Sequence, residues 1–150
     1  MEGSVVINRP VEEVAQYIAD IERQTEWSDM TVSRKLTEGP PRSGTQAYAE
    51  VAMGPMKLGW TWELTALDPA KGMTYRTISK SALGMDGSFR WSSEGRKATR
   101  VDGVVEVRTR GLLRLLEPLL RGEMARNEAG EFDRLKAALE KGGERAANAA

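Results

Sequence analysis

The chain of 150 residues contains no cysteine. That excludes a disulfide framework, a thiolate metal site and a cysteine nucleophile. Histidine is absent as well, which removes the commonest metal ligand, the commonest general base and every Ser-His-Asp triad. Net charge is also missing: 22 Lys and Arg balance 22 Asp and Glu, so overall charge argues for neither a nucleic-acid nor a membrane partner. No stretch approaches the roughly 18 consecutive apolar residues of a membrane span. The opening MEGSVVINRP has no basic segment followed by a long apolar one, so no signal peptide is read there and a cytoplasmic location is expected. Acidic residues are scattered without a ligand spacing, and neither a metal nor a cofactor is expected. The glycines of RSGTQA and ALGMDG lack the strand, loop and helix setting of a phosphate cradle.

What is present is alternation. Residues 56–67 read MKLGWTWELTAL, with Met56, Leu58, Trp60, Trp62, Leu64 and Ala66 on one side of an extended chain. Side chains of a strand alternate between two faces, so this is a strand with one buried face. Similar period-two segments are TQAYAEVAM before it, and MTYRTIS, GMDGSFRW and TRVDGVVEVRT after it. Short turns such as DPAKG separate them, which predicts an antiparallel meander.

Both ends of the chain change period. SVVIN is β-rich and runs into RPVEEVAQYIADI. There Pro10, Glu12 and Glu13 suit a first helical turn, and Val11, Val14, Tyr17, Ile18 and Ile21 recur at helical spacing. The polar stretch ERQTEWSDM, with room for a second short helix, leads to a strand over TVSRKLTE. At the other end lies a long helical stretch, GLLRLLEPLLRGEMARNEAGEFDRLKAALEK. Ala125, Ala129, Phe132, Leu135 and Leu139 form its stripe, and Pro118 should kink or restart it. The expected fold is α+β: seven antiparallel strands curved around one long C-terminal helix, the only element large enough to cover the sheet. The tail over 142–150 has little to bury and is expected to be disordered.

SVVINRPVEEVAQYIADIERQTEWSD, WTWELTALDPAKGMTYRT and RTRGLLRLLEPLLRGEMARNEAGEFDRLKAALE resemble the opening, central hairpin and closing strand-plus-helix of the START-like, birch-pollen-allergen-like (SRPBCC) superfamily. Within it they are most similar to the bacterial polyketide cyclase/dehydrase branch. The resemblance implies a helix-grip fold, here one START-like domain over 1–141, with an apolar cavity between sheet and helix. It also implies an apolar small-molecule ligand, lipid- or polyketide-like. A family that includes aromatase/cyclases, lipid carriers and interaction modules does not by itself give a function.

On this reading the ligand-binding candidates are Trp60, Trp62, Tyr75, Phe89, Trp91 and Met53 from the sheet, Trp27 from the loop near the mouth, and Ala125 and Ala129 from the helix. The alternative for Trp60 and Trp62 is plain core packing. Tyr75 and Glu50 are the candidate acid/base groups for a cyclase/dehydrase, Glu50 only if the polar side of its strand faces inward. Tyr17, Tyr48, Gln46, Thr77 and Ser79 are further polar candidates. Arg76 and Arg90 alternate with apolar neighbours and should face solvent. Three functions stay open: an apolar-cavity binding protein, a cyclase/dehydrase enzyme, and a protein-interaction module with a filled core. A homodimer or a protein partner is open too.

Overall fold

The computed structural model describes the backbone of residues 2–149. The side chains of residues 123–125, 127–129 and 143–149 lie outside the description. The side chains of Ala125 and Ala129 therefore fall outside the description, as do those of the tail expected to be disordered from residue 143 on.

The elements are β1 (Glu2–Ile7), α1 (Val11–Ala19), a 3-10 turn (Ile21–Glu26), β2 (Met30–Lys35), β3 (Gln46–Met53), β4 (Met56–Asp68), β5 (Gly72–Thr77), β6 (Leu83–Ser93), β7 (Thr99–Thr109), a second 3-10 turn (Gly111–Leu116) and α2 (Glu117–Ala149). All seven strands form one antiparallel sheet in the order β1-β7-β6-β5-β4-β3-β2. Strands β2 to β7 are the expected meander, and β1 pairs along β7, from Glu2 against Val104 to Ile7 against Thr99. The curled sheet and its C-terminal helix make a helix-grip fold, as the alternation and the resemblance implied.

Alternation on β4 holds where it matters. Trp60, Trp62 and Leu64 are buried, while Glu63 on the other face reaches Arg76 at 3.9 Å. A register shift between Leu64 and Ala66 breaks the pattern and leaves Ala66 exposed, against expectation. Such a bulge adds local twist, the deformation that lets a sheet curl. In α1 the apolar spacing buries Val14, Tyr17 and Ile18. Pro118 falls in the first turn of α2, where its missing N–H costs nothing. The helical stretch thus restarts there, with a 3-10 turn before it. Gly111, at φ 64°, makes the left-handed bend that carries β7 into this turn.

Helix α2 crosses the concave side of the sheet with Phe132, Leu135 and Leu139 buried. Polar ties fix its position. Lys136 Nζ donates to Val6 O at 2.8 Å, and Asn8 N–H donates to Glu140 at 3.0 Å. Arg134 Nε donates to Trp27 O at 3.0 Å. Among the described residues no helix is long and apolar enough to cross a membrane.

Candidate functional site

A cavity of about 130 Å³ lies in the hollow of the sheet. Strand β4 lines it with Trp60 and Trp62, β5 with Met73 and Tyr75, β6 with Met85 and Phe89, and β7 with Gly103, Val105 and Val107. Val51 and Met53 of β3, Gln24 of the first 3-10 turn, Trp27, Ser28 and Asp29 of the loop after it, and Met30 at the start of β2 complete one end, where Glu131 of α2 also reaches it. The lining is mainly apolar, with adaptable methionines among the aromatics.

The aromatic residues form a connected wall. Trp62 meets Tyr75 edge-on at 5.9 Å, Tyr75 meets Phe89 at 6.3 Å, and Phe89 meets Trp27 edge-on at 5.8 Å and Phe132 at 6.5 Å. Edge-to-face contacts of this kind add roughly 0.5–1.5 kcal/mol each beyond area burial, so the wall is stiff as well as apolar. The Tyr75 hydroxyl lies over Gly87, where a Cβ would stand 2.6 Å from it.

Among the described residues, two polar atoms in this wall are without partners. The indole Nε1 of Trp27 and of Trp62 is buried and makes no hydrogen bond to any described residue, although the residues are only 4% and 3% exposed. Leaving a buried donor unpaired costs about 1–3 kcal/mol. Trp91 shows the ordinary solution: it is equally buried, and its Nε1 donates to Pro69 O at 2.9 Å.

The expected site residues thus separate. Trp60, Trp62, Tyr75, Phe89, Met53 and Trp27 come together around the cavity. Trp91 does not line it. That residue pairs in register with Val101 near the β4–β5 turn, and its ring is core. Glu50 is also corrected. Ala47 and Ala49 of β3 are the buried side, opposite Trp62 and Trp60, so Glu50 and Tyr48 share the outer face, joined at 2.8 Å. That bond to Glu50 raises the Tyr48 pKa above its usual value. Gln46 is exposed. Arg76 and Arg90 are exposed, as alternation required.

The other hydroxyl candidates serve the scaffold. Thr77 Oγ1 donates to Met85 O and accepts from Met85 N–H, bridging β5 and β6. Ser79 Oγ accepts from Thr61 N–H at 2.9 Å. Tyr17 donates to Glu26 at 3.1 Å outside the cavity, and burial, followed by the Glu26 charge, pushes its pKa up to about 12.

Sequence reasoning missed a polar clasp at the cavity's end. Arg134 pairs with Asp29 at 2.7 Å, and Asp29 N–H donates to Glu131 at 3.1 Å. The clasp holds the Trp27–Ser28–Asp29 loop against α2. The only signal in the sequence was the WSD triplet, whose partners lie about a hundred residues away along the chain. Among the described residues no group of three or more His, Cys, Asp or Glu could hold a metal ion.

Residues 1–140 match the family described as polyketide cyclase / dehydrase and lipid transport. No curated protein matches the chain in sequence. Among solved structures, the chain is similar to the Zhui aromatase/cyclase from Streptomyces sp. R1128, with 18% identity, a TM-score of 0.79, and 94% of this chain and 93% of that one covered. A protein from Thermus thermophilus, TTHA0849, is similar at 16% identity and a TM-score of 0.79, with 95% and 97% covered. A START superfamily protein from Mycobacterium smegmatis is similar at 17% identity and a TM-score of 0.66, with 94% and 97% covered. At such identities the structural likeness speaks for the fold alone. With the family match spanning nearly the whole sequence, the chain belongs to the polyketide cyclase/dehydrase and lipid transport family.

Proposed function

We propose that this protein binds an apolar small molecule carrying a hydrogen-bond acceptor, such as a ketone or ester oxygen, in the cavity of the sheet. The observation that carries the reading is the pair of unpartnered indole N–H groups of Trp27 and Trp62 in an otherwise apolar lining. A hydrocarbon would leave both donors unpaired. An acceptor oxygen would satisfy one or both and recover the desolvation cost already present in the free protein. Size narrows the ligand further. At about 130 Å³ the cavity is close to the roughly 150 Å³ void that holds benzene in an engineered protein core, so it suits a single ring or short chain as it stands. A longer polyketide- or lipid-like molecule would require the Trp27 loop to swing outward.

The matched pair acetophenone and ethylbenzene tests this, since both are single rings of the size the cavity takes and they differ chiefly in one carbonyl. Titration followed by tryptophan fluorescence should show acetophenone binding about tenfold tighter, the worth of one good hydrogen bond. The advantage should vanish in Trp62→Phe or Trp27→Phe. Equal affinity for the two compounds would overturn the assignment.

A cyclase/dehydrase reading is favoured by one observation: Tyr75 brings a phenol hydroxyl into the same wall as the two indole donors. Donors converging on a ketone oxygen would stabilise an enolate as it forms. Turnover of a poly-ketone substrate that falls in Tyr75→Phe, with binding retained, is the result this reading requires. Glu50 has no part in it. The open cavity speaks against a module with a filled core.

A further inference from the structure

The segment joining β7 to α2 is apolar on two sides. Leu113 and Leu120 are buried at 6% exposure each and anchor it to the body. On the opposite side Leu112, Leu115, Leu116 and Leu119 are 83%, 78%, 43% and 74% exposed. Their spacing of three, one and three residues is that of a continuous helical stripe. Scattered exposed leucines need no explanation, but a contiguous stripe marks an interaction surface.

The charge around the stripe is one-sided. The chain as a whole is neutral, yet residues 108–121 hold four arginines against one glutamate. Arg108 is paired with Asp86 and Arg121 with Glu117. Arg110 and Arg114 are exposed and make no ion pair among the described residues. The Arg110 N–H to Ala82 O bond, at 2.8 Å, sets the β5–β6 loop with its exposed Lys80 beside the same segment.

We propose that this leucine stripe docks on an anionic lipid surface. The leucines would enter the boundary between headgroups and acyl chains, and Arg110, Arg114 and Lys80 would meet lipid phosphates, the arrangement of an interfacial amphipathic helix. A second copy of the chain fits the stripe less well. A two-fold contact presents a patch to itself, so the surplus cations would face their own copies. An anionic surface neutralises them instead. The segment follows directly on β7, whose Val105 and Val107 line the cavity, so docking would hold that end of the cavity near the lipid. The proposal does not depend on what the cavity binds.

Sedimentation of the full chain with phosphatidylcholine vesicles, with and without phosphatidylglycerol, tests it. The protein should pellet with the phosphatidylglycerol vesicles alone and be released by added salt, as screening requires. The double variant Leu115→Ser/Leu119→Ser should stay in the supernatant while its thermal unfolding is unchanged, because both side chains face water. Arg110→Gln/Arg114→Gln should weaken binding about thirty-fold. Failure to pellet with phosphatidylglycerol vesicles overturns the proposal, as does pelleting that survives loss of the leucines. A dimer in analytical ultracentrifugation that Leu115→Ser/Leu119→Ser dissolves would assign the stripe to a second copy and overturn it equally.

Discussion

Phe132 of α2 rests directly on Gly103 of β7: a Cβ built on Gly103 would stand 2.8 Å from Phe132 Cζ and 3.2 Å from Phe89 Cε1. Gly103 pairs in register with Gly3 of β1, whose missing side chain would also meet the Phe132 ring. Two glycines side by side on neighbouring strands thus form the slot into which the helix lowers its one large aromatic. The slot sets the height of α2 over the sheet, and hence the depth of the cavity that Gly103 and Phe89 line.

Replacement of Gly103 by Ala should therefore destabilise the fold by about 1–3 kcal/mol, the usual cost of overfilling a packed site. Thermal unfolding of Gly103→Ala, Phe132→Leu and the double variant measures it. The double variant should be more stable than the sum of the single losses, since the smaller helix residue leaves room for the added methyl. Strict additivity would mean that the two residues do not press on one another.

Trp62 and Trp91 supply a controlled comparison of the two buried indoles. Both are buried on the concave side, at 3% and 2% exposure, and a change to Phe removes the same atoms from each. Trp91 also loses its bond to Pro69 O and leaves that carbonyl unpaired, whereas Trp62 loses only an unpartnered donor. Trp91→Phe should thus cost about 1–2 kcal/mol more in denaturant unfolding than Trp62→Phe. Equal costs would show that the Trp62 N–H is satisfied in the free protein, by water or otherwise.

The architecture was legible because the chain's periods are clean. Alternation in TWEL placed Trp62 and Leu64 on the buried side, and the three-and-four spacing of Phe132, Leu135 and Leu139 placed them on the helix's buried stripe. The site was legible only in part. Alternation alone does not say which side of QAYAEVAM faces in, since alanine suits either face. The inward side is decided by the register that sets Ala47 and Ala49 against Trp62 and Trp60, and Glu50 faces out as a result. Trp91 shares the inward face with Phe89 yet misses the cavity, because its distance along the sheet depends on pairing with Val101. Contacts such as Asp29 to Arg134 join segments with no shared local pattern.

That clasp bears on ligand exchange more than on stability. Arg134 donates both to Asp29 and to Trp27 O, and the pair is partly exposed, with side chains 44% and 31% accessible. A pair in that setting contributes less than about 1 kcal/mol. Arg134→Gln should leave the melting temperature within a few degrees of the parent. Ligand dissociation in stopped-flow fluorescence should nevertheless accelerate several-fold, since Trp27 would no longer be held over the cavity. Unchanged dissociation would mean that the loop does not gate the site.

Tyr17 gives the fold an alkaline limit. Burial, then the neighbouring Glu26 carboxylate, pushes its pKa up to about 12 from an ordinary value near 10. Because the folded value lies above the unfolded one, the folded state holds the proton more tightly. The stabilisation is complete below pH 10, declines as the unfolded chain ionises, and is gone once pH has risen through about 12. The parent protein should therefore lose denaturant stability across that window. Tyr17→Phe, which cannot ionise, should lose less over the same pH steps, even though it starts lower for want of the bond to Glu26. The two curves should converge towards high pH. Parallel curves would show that Tyr17 titrates alike in the folded and unfolded chain, and that the alkaline loss comes from other groups.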